Sequence, residues 1–365
     1  MANIKTTLCG IELQSPFVLG SGPCGWDAEA LAACSNAGCG AVVTKSISTK
    51  GDTNTTRHMI SGGNMTLLNN EGGSDMPASW WFGPDGQLEK AKKLGVKCLI
   101  ASVRGYEGMD EAIKIAKAVE DYGADMIEFV NGYHEPGDLV DQFAAVKAAV
   151  KIPCIAKVNG NWTNTEEVAK ACAAAGADAI TAIDSIGPTY RVDIATGRPL
   201  LGGKAYGYMT GANILPIALR YIHDISQFTD KDIIGMGGVT TAEAALEMLM
   251  SGSSCVGVCT AAIVKGPKVF EELTANLSKL MDKYGYADIA SVSKLTHRTE
   301  KLEEVSPANF VYEAEKCSHC NRCVNACAYR ARKFDENGNM TVNPDQCRVC
   351  GLCFGMCAKK AIYIK

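Results

Sequence analysis

Residues 98–130 read CLIASVRGYEGMDEAIKIAKAVEDYGADMIEFV. Two short apolar runs, Cys98–Val103 and Asp125–Val130, flank an amphipathic segment at 110–122 whose apolar residues recur at helical spacing. Strands too apolar to alternate in and out are buried on both faces, so this stretch predicts a β–α–β unit in a parallel sheet. The same alternation runs outward in both directions. Further strand candidates are Phe17–Gly22, Ala41–Ile47, Pro153–Val158, Ala179–Asp184, Asp232–Gly238 and Ser253–Thr260. Helical segments lie at 138–149, 163–175, 241–251 and 265–283, with caps expected at Asp110, Asp138 and Thr163 or Asn164. Glycines mark the return from helix to strand at Gly38, Gly123, Gly176 and Gly252. Eight such strands predict an α/β fold of the (β/α)₈ TIM-barrel type. The open doubly wound sheet is the alternative, and the count of eight strands favours the barrel.

Two connections are long, 48–84 and 185–211, and both leave the carboxyl ends of strands, where barrel active sites are built. The expected organisation is a barrel over 1–290, a polar linker over 291–315 and a small domain over 316–365. The chain has 365 residues, 47% hydrophobic and 21% charged, with a formal net charge of −4. That charge argues against nucleic acid or an anionic membrane as partner. The N-terminus lacks the apolar core of a secretory signal and no apolar run is long enough to span a bilayer, so the reading is cytoplasmic.

The small domain carries eight of the seventeen cysteines in two runs, Cys317-x₂-Cys320-x₂-Cys323-x₃-Cys327 and Cys347-x₂-Cys350-x₂-Cys353-x₃-Cys357. This is the bacterial spacing for two [4Fe–4S] clusters, in which the fourth cysteine of each run serves the other cluster. One cluster would take Cys317, Cys320, Cys323 and Cys357, the other Cys347, Cys350, Cys353 and Cys327. Ala328 and Ala358 stand where that pattern has proline. Zinc is the competing occupant, but zinc sites use pairs of C-x₂₋₄-C. The other nine cysteines are scattered singly, as expected of reduced thiols.

The barrel offers its own chemistry. Lys45, followed by Ser46, and Lys157 end apolar strands, where a buried ammonium needs an anion or acceptor. Gly20-Ser21-Gly22 closes the first strand and would let a flat ring approach the backbone. Gly237-Gly238 and Cys259-Thr260 close the last two, a frequent phosphate-binding position in barrels. A planar cofactor with a phosphate tail fits. Because clusters carry single electrons, it should take two and release them one at a time, as flavin does.

The order PFVLGSG, VVTKSIS, LLNNEGG, PCIAKV, AIDSIG and GMGGVTTAEAALEMLMSGSSCVGVCTA resembles the dihydroorotate dehydrogenase superfamily. With the cysteine-rich tail, the chain is most similar to the FMN and iron–sulfur subunit of bacterial NAD-dependent dihydropyrimidine dehydrogenases. The resemblance implies FMN on the barrel, with Gly20, Ser21 and Gly22 by the isoalloxazine and Lys45 and Lys157 near its polar edge. It implies Gly237, Gly238, Cys259 and Thr260 at the phosphate, and Asn70 as a substrate-binding asparagine.

The departures bear on substrate. Where the family has Asn-Leu-Ser-Cys-Pro, with a proton-exchanging cysteine, this chain reads Asn131-Gly132-Tyr133-His134-Glu135-Pro136. Depending on alignment, Tyr133 or His134 replaces the cysteine, and either can be a general acid. Asp184, before Ser185, stands where an asparagine or threonine is usual and is an acceptor-only group. Arg104 and Arg191 are candidates for a substrate carboxylate. Trp80-Trp81-Phe82 could wall the pocket or be ordinary packing. The expected function is an FMN-dependent oxidoreductase that reduces or forms an activated C=C bond in a small molecule, with electrons relayed through two clusters. The donor would be an NAD(P)H-oxidising flavoprotein subunit or a ferredoxin, in a homo- or hetero-oligomer. The alternatives are uracil or thymine reduction and a non-catalytic electron-transfer subunit.

Overall fold

The computed structural model describes residues 1–105, 107–131, 136–299 and 307–364. It contains two compact units, Met1–Arg298 and Thr299–Lys365.

The first unit is a closed eight-stranded parallel barrel with helices between the strands. Its strands are β1 (Phe17–Leu19), β2 (Ala41–Val43), β3 (Leu99–Val103), β4 (Met126–Val130), β5 (Cys154–Val158), β6 (Ala179–Ala182), β7 (Asp232–Met236) and β8 (Cys255–Val258). Each pairs with its sequence neighbour, and β8 closes on β1. The barrel read from the sequence is therefore observed.

Side chains of a strand alternate between faces, so one inward residue fixes the rest. Val18, Ala41, Val43, Ile100, Met126, Ile155, Ala179, Ile234, Met236 and Cys255 form one buried cluster inside the barrel. The hairpin Thr6–Leu8 and Ile11–Leu13 caps its amino end by adding Leu8 and Leu13. Two residues further along five of the eight strands, the same inward face carries polar groups: Lys45, Ser102, Glu128, Lys157 and Thr181, all buried. The change of chemistry along one face places a polar layer at the carboxyl end of an apolar plug.

The helices pack outside against a second, larger apolar cluster. Asp27 and Thr241 cap theirs, accepting from Ala30 N at 2.7 Å and Ala244 N at 3.2 Å. Helix Met109–Asp121 is entered at Gly108, not Asp110, which lies in its first turn with Glu111. The single helix expected over 265–283 is two, Thr260–Lys265 and Val269–Tyr284. Gly266 has φ +78 and Pro267 lacks an N–H, so the segment cannot continue the first helix.

The two long connections are ordered together. Strands Met59–Gly63 and Thr66–Asn69 from one, and Ile186–Thr189 and Gly207–Gly211 from the other, form a four-stranded antiparallel sheet. Short helices Ile289–Val292 and Leu295–Arg298 end the first unit. No helix among the described residues is long and apolar enough to cross a membrane.

The second unit repeats itself at a spacing of thirty residues. Helices Arg322–Asn325 and Leu352–Gly355 follow residues of positive φ, His319 and Asn321 in one half and Val349 and Gly351 in the other. Strand Phe310–Tyr312 pairs with Ile362–Ile364, and Arg332–Phe334 with Met340–Val342. Cys323, Met340 and Ile362 form its small core.

Candidate active site at the barrel mouth

A cavity of about 120 Å³ opens at the carboxyl ends of the strands. Ser21, Gly22, Lys45, Ser46, Arg104, Lys157, Asp184, Ser185, Gly237, Gly238, Cys259 and Thr260 all line it, so most residues singled out in the sequence converge here. Gly20 is covered: a Cβ there would lie 2.9 Å from Met236 Cε. Asn131 is buried but outside the lining. Tyr133 and His134 lie outside the described residues. Of the adjacent asparagines, Asn69 lines the cavity and Asn70 does not, because Asn70 Nδ2 turns away to the Gly202 carbonyl at 3.2 Å.

The strand period explains the charged floor. Lys157 follows Ile155 on the inward face of β5, and Glu128 follows Met126 on β4. Glu128 is fully buried and its Oε2 accepts from Thr181 Oγ1 at 2.8 Å. Lys157 Nζ lies 3.7 Å from Glu128 Oε1 and 3.8 Å from Asp184 Oδ2. Burial opposes the charge on Lys157, but Asp184 and then Glu128 outweigh it and hold its pKa above the ordinary lysine value. The ammonium is thus charge-compensated without a hydrogen bond to any described residue.

Lys45 is paired with Glu71, whose other oxygen lies 2.9 Å from His58 Nε2. Arg104 pairs with Asp52 at 2.9 Å. Serine hydroxyls connect β1, β2 and β3: Ser21 to Ser46 at 3.2 Å, Ser46 to Ser102 at 2.8 Å. Asn161 ties β5 to the excursion sheet, donating to Ser185 O at 2.8 Å and accepting from Gly187 N at 2.7 Å. Burial pushes the Cys259 thiol up to about 12, with neighbouring Cys24 adding to it, so the thiol is protonated at neutral pH. Arg191 is exposed. Trp81 is core, Trp80 stacks on Trp26 at 5.8 Å and Phe82 on Tyr122 at 5.7 Å, so this trio is packing and none of it lines the cavity.

Glu71, His58, Glu128 and Asn161 are not singled out by the sequence reading. Glu128 could have been: its spacing of two from Met126 puts it on the inward face. Glu71 reaches Lys45 across the first excursion, a pairing no local pattern encodes.

Gly237 and Gly238 turn the chain over the cavity with φ of +121 and +92. A Cβ on Gly238 would lie 2.6 Å from the Leu215 Cα. Gly238→Ala is expected to lose about 1–3 kcal/mol of stability from the backbone conformation alone, and more from that contact. Thermal melts read the first loss, and cofactor retained through gel filtration reads the distortion of the cavity wall.

In the second unit, Cys317, Cys320, Cys323 and Cys357 line one cavity, and Cys327, Cys347, Cys350 and Cys353 line another. Each set takes three thiols from one run and the fourth from the other. The thiols ring these voids; among the described residues no three metal-ligating side chains converge as a single-ion site. Backbone N–H groups of Ala331 and Ala361 donate to Cys327 Sγ and Cys357 Sγ at 3.3 and 3.2 Å.

Residues 3–281 match the family model for dihydroorotate dehydrogenase, and residues 316–361 match that for a 4Fe-4S dicluster domain. The chain is 35% identical over 310 residues to the catalytic subunit of dihydroorotate dehydrogenase B (NAD(+)) from Methanothermobacter thermautotrophicus, covering 80% of this chain and 98% of that protein. The subunit of the same name from Thermoplasma volcanium is 32% identical over 317 residues (84% and 98%), and that from Methanocaldococcus jannaschii 32% over 290 (74% and 90%). FMN is the cofactor expected of this family. The chain belongs to the dihydroorotate dehydrogenase family, and is an oxidoreductase of CH–CH bonds with a 4Fe–4S dicluster domain at its C-terminal end.

Proposed function

We propose that the chain is a catalytic subunit that uses FMN in the barrel mouth to reduce an activated C=C bond in a small molecule, with electrons arriving from an external donor through two [4Fe–4S] clusters. The observation that carries this reading is Lys157. A buried ammonium with two carboxylates at 3.7 and 3.8 Å, and a hydrogen bond to neither, is a donor set waiting for an acceptor. The polar edge of a flavin supplies such acceptors. Gly237 and Gly238 line the cavity with positive φ, a backbone geometry that can present N–H groups to a phosphate. These residues fit FMN, with Ser21, Gly22, Lys45, Ser46, Cys259 and Thr260 lining the same cavity. When bound, FMN supplies two-electron exchange with a carbon–carbon bond and one-electron exchange with clusters.

The chain's own residues do the rest. Lys157 and Lys45 orient the cofactor's polar edge, and Asn69, Asp184 and Ser185 face the remaining space, where substrate is held. The proton delivered to carbon comes from Tyr133 or His134, on the segment that follows β4. The thiol sets ringing the two small cavities support two clusters. The relatives are called catalytic subunits of NAD(+) enzymes. That supports a separate NAD(P)H-oxidising subunit, or a ferredoxin, as the donor. Uracil or thymine reduction, as in dihydropyrimidine dehydrogenase, is the second reading, because Asp184 Oδ2 can accept an N–H of such a ring.

The test is anaerobic. Photoreduced protein is mixed with a panel of unsaturated compounds that includes uracil, thymine and orotate, and the flavin absorbance is followed. A substrate restores the oxidised band at roughly 1–10³ s⁻¹; protein without FMN, or with no compound acting at such a rate, overturns the reading. With the substrate found, Tyr133→Phe and His134→Ala are compared. Loss of the proton donor lowers reoxidation by about 10²–10⁴-fold, and the other substitution leaves it within a few-fold.

A further inference from the structure

We propose that Glu71 makes the barrel mouth selective for uncharged, N–H-bearing substrates, by occupying from within the chain the cation that a substrate carboxylate would require. The inference rests on the cavity being the substrate site.

Lys45 is buried on the inward face and lines the cavity. One oxygen of Glu71 closes on its ammonium, and the other lies 2.9 Å from His58 Nε2. His58 Nδ1 lies 3.0 Å from the Thr55 carbonyl, which can only accept, so Nδ1 carries a proton and the ring is held in place. The backbone is held as well. Glu71 N donates to Asn69 Oδ1 at 3.3 Å, and Gly72 N to Asn54 Oδ1 at 2.8 Å. One carboxylate oxygen is therefore held by the Lys45 ammonium and the backbone by its own loop, while Oε2 lies near His58 without a hydrogen-bond partner among the described residues.

The other cations are engaged in the same way. Arg104 faces Asp52, and Lys157 lies between Glu128 and Asp184. Among the described residues, three cations at the cavity meet four carboxylates. A substrate acid entering here finds each ammonium or guanidinium already compensated and a carboxylate beside it, and like charges at such range repel strongly where water is scarce. Asp184 favours the opposite chemistry. Its Oδ1 accepts from Ser185 N at 2.7 Å, and Oδ2 is left to accept an N–H. A lactam, imide or cyclic urea fits this cavity, and the corresponding carboxylic acid does not.

The test uses FMN-loaded, full-length protein and two carboxylate probes, orotate and benzoate, read by flavin difference spectra and calorimetry. Wild type is expected to show no binding of either in the range where Glu71→Gln binds at least tenfold tighter, the least expected of one charge-assisted hydrogen bond. Adding Lys45→Met to Glu71→Gln should abolish the gain. Glu71→Gln keeps the side-chain size, and its flavin absorbance reports an intact cavity. Wild type binding either acid as tightly as the variant, or a variant that gains nothing, overturns the proposal. Failure of the underlying function shows differently, as protein that retains no FMN.

Discussion

Lys157→Met is expected to lower the unfolding free energy by about 3–5 kcal/mol, the usual result of removing one partner from a buried ion pair. The loss comes from what stays behind. Glu128 is fully buried, its Oε1 has no hydrogen-bond partner, and Thr181 satisfies only its other oxygen. Among the described residues, Lys157 is the cation that pairs with it. Methionine fills the lysine's volume, so the effect reads charge rather than a cavity. Glu128→Gln in the same chain should recover most of the loss, because the amide keeps an oxygen for Thr181 and carries no charge. A double-mutant cycle by urea denaturation measures this, and a double variant as unstable as Lys157→Met alone would show that packing, not charge, sets the cost. The pH dependence has a definite sign. Lys157 has a folded pKa above its ordinary value of about 10.5, so its contribution is fully present below that pH and fades only as the pH rises through the higher folded value. The difference between wild type and Lys157→Met should therefore be flat from about pH 6 to 9 and shrink only in strong alkali. The same substitution removes the hydrogen-bond donors assigned to the cofactor, so flavin content should fall with stability. In the double variant stability returns and flavin content does not, which separates the two roles of Lys157.

The barrel was legible because its signals are local. Apolar runs of strand length, helical periodicity between them and glycines at the returns each occupy a few adjacent residues, and eight repetitions leave few other topologies. The convergence of Lys45, Lys157, Asp184 and the paired glycines was legible for the same reason, since every barrel strand delivers its carboxyl end to one face. What escaped is long-range. Strands MISGG, TLLN, IGPT and GYMTG have no clean alternation, and Thr66–Asn69 pairs with Gly207–Gly211 across about 140 residues. Glu71 follows directly from that sheet and is invisible until the sheet is built. Asn69 and Asn70 show the limit at a single residue, since which of two adjacent asparagines faces the cavity depends on how their strand pairs. Arg104 shows a limit of chemistry: its position at the mouth was readable, its engagement by Asp52 was not.

Cys353→Ser should cut the iron content from about eight to about four per chain and stop turnover driven by the external donor, while the barrel keeps its fold and its flavin. The halving follows from how the thiols are shared. Cys353 lines a cavity with Cys327, Cys347 and Cys350, and the other cavity takes Cys317, Cys320, Cys323 and Cys357. Losing one ligand leaves the second set complete. Cys327 makes the sharper case, because it belongs by sequence to the first run and by position to the second cavity. Cys327→Ser should therefore produce the same spectrum of losses as Cys353→Ser, and a different one from Cys323→Ser. If each run instead bound its own metal, Cys327→Ser would match Cys323→Ser. Electron paramagnetic resonance of the reduced variants reads which signal survives, and iron and sulfide analysis reads how much. Electrons given directly to the flavin by photoreduction should still reach substrate in all three variants, because the barrel mouth is built without any of these cysteines. If photoreduced Cys353→Ser protein fails to turn over substrate while keeping its flavin, the clusters are needed for more than delivery from the donor.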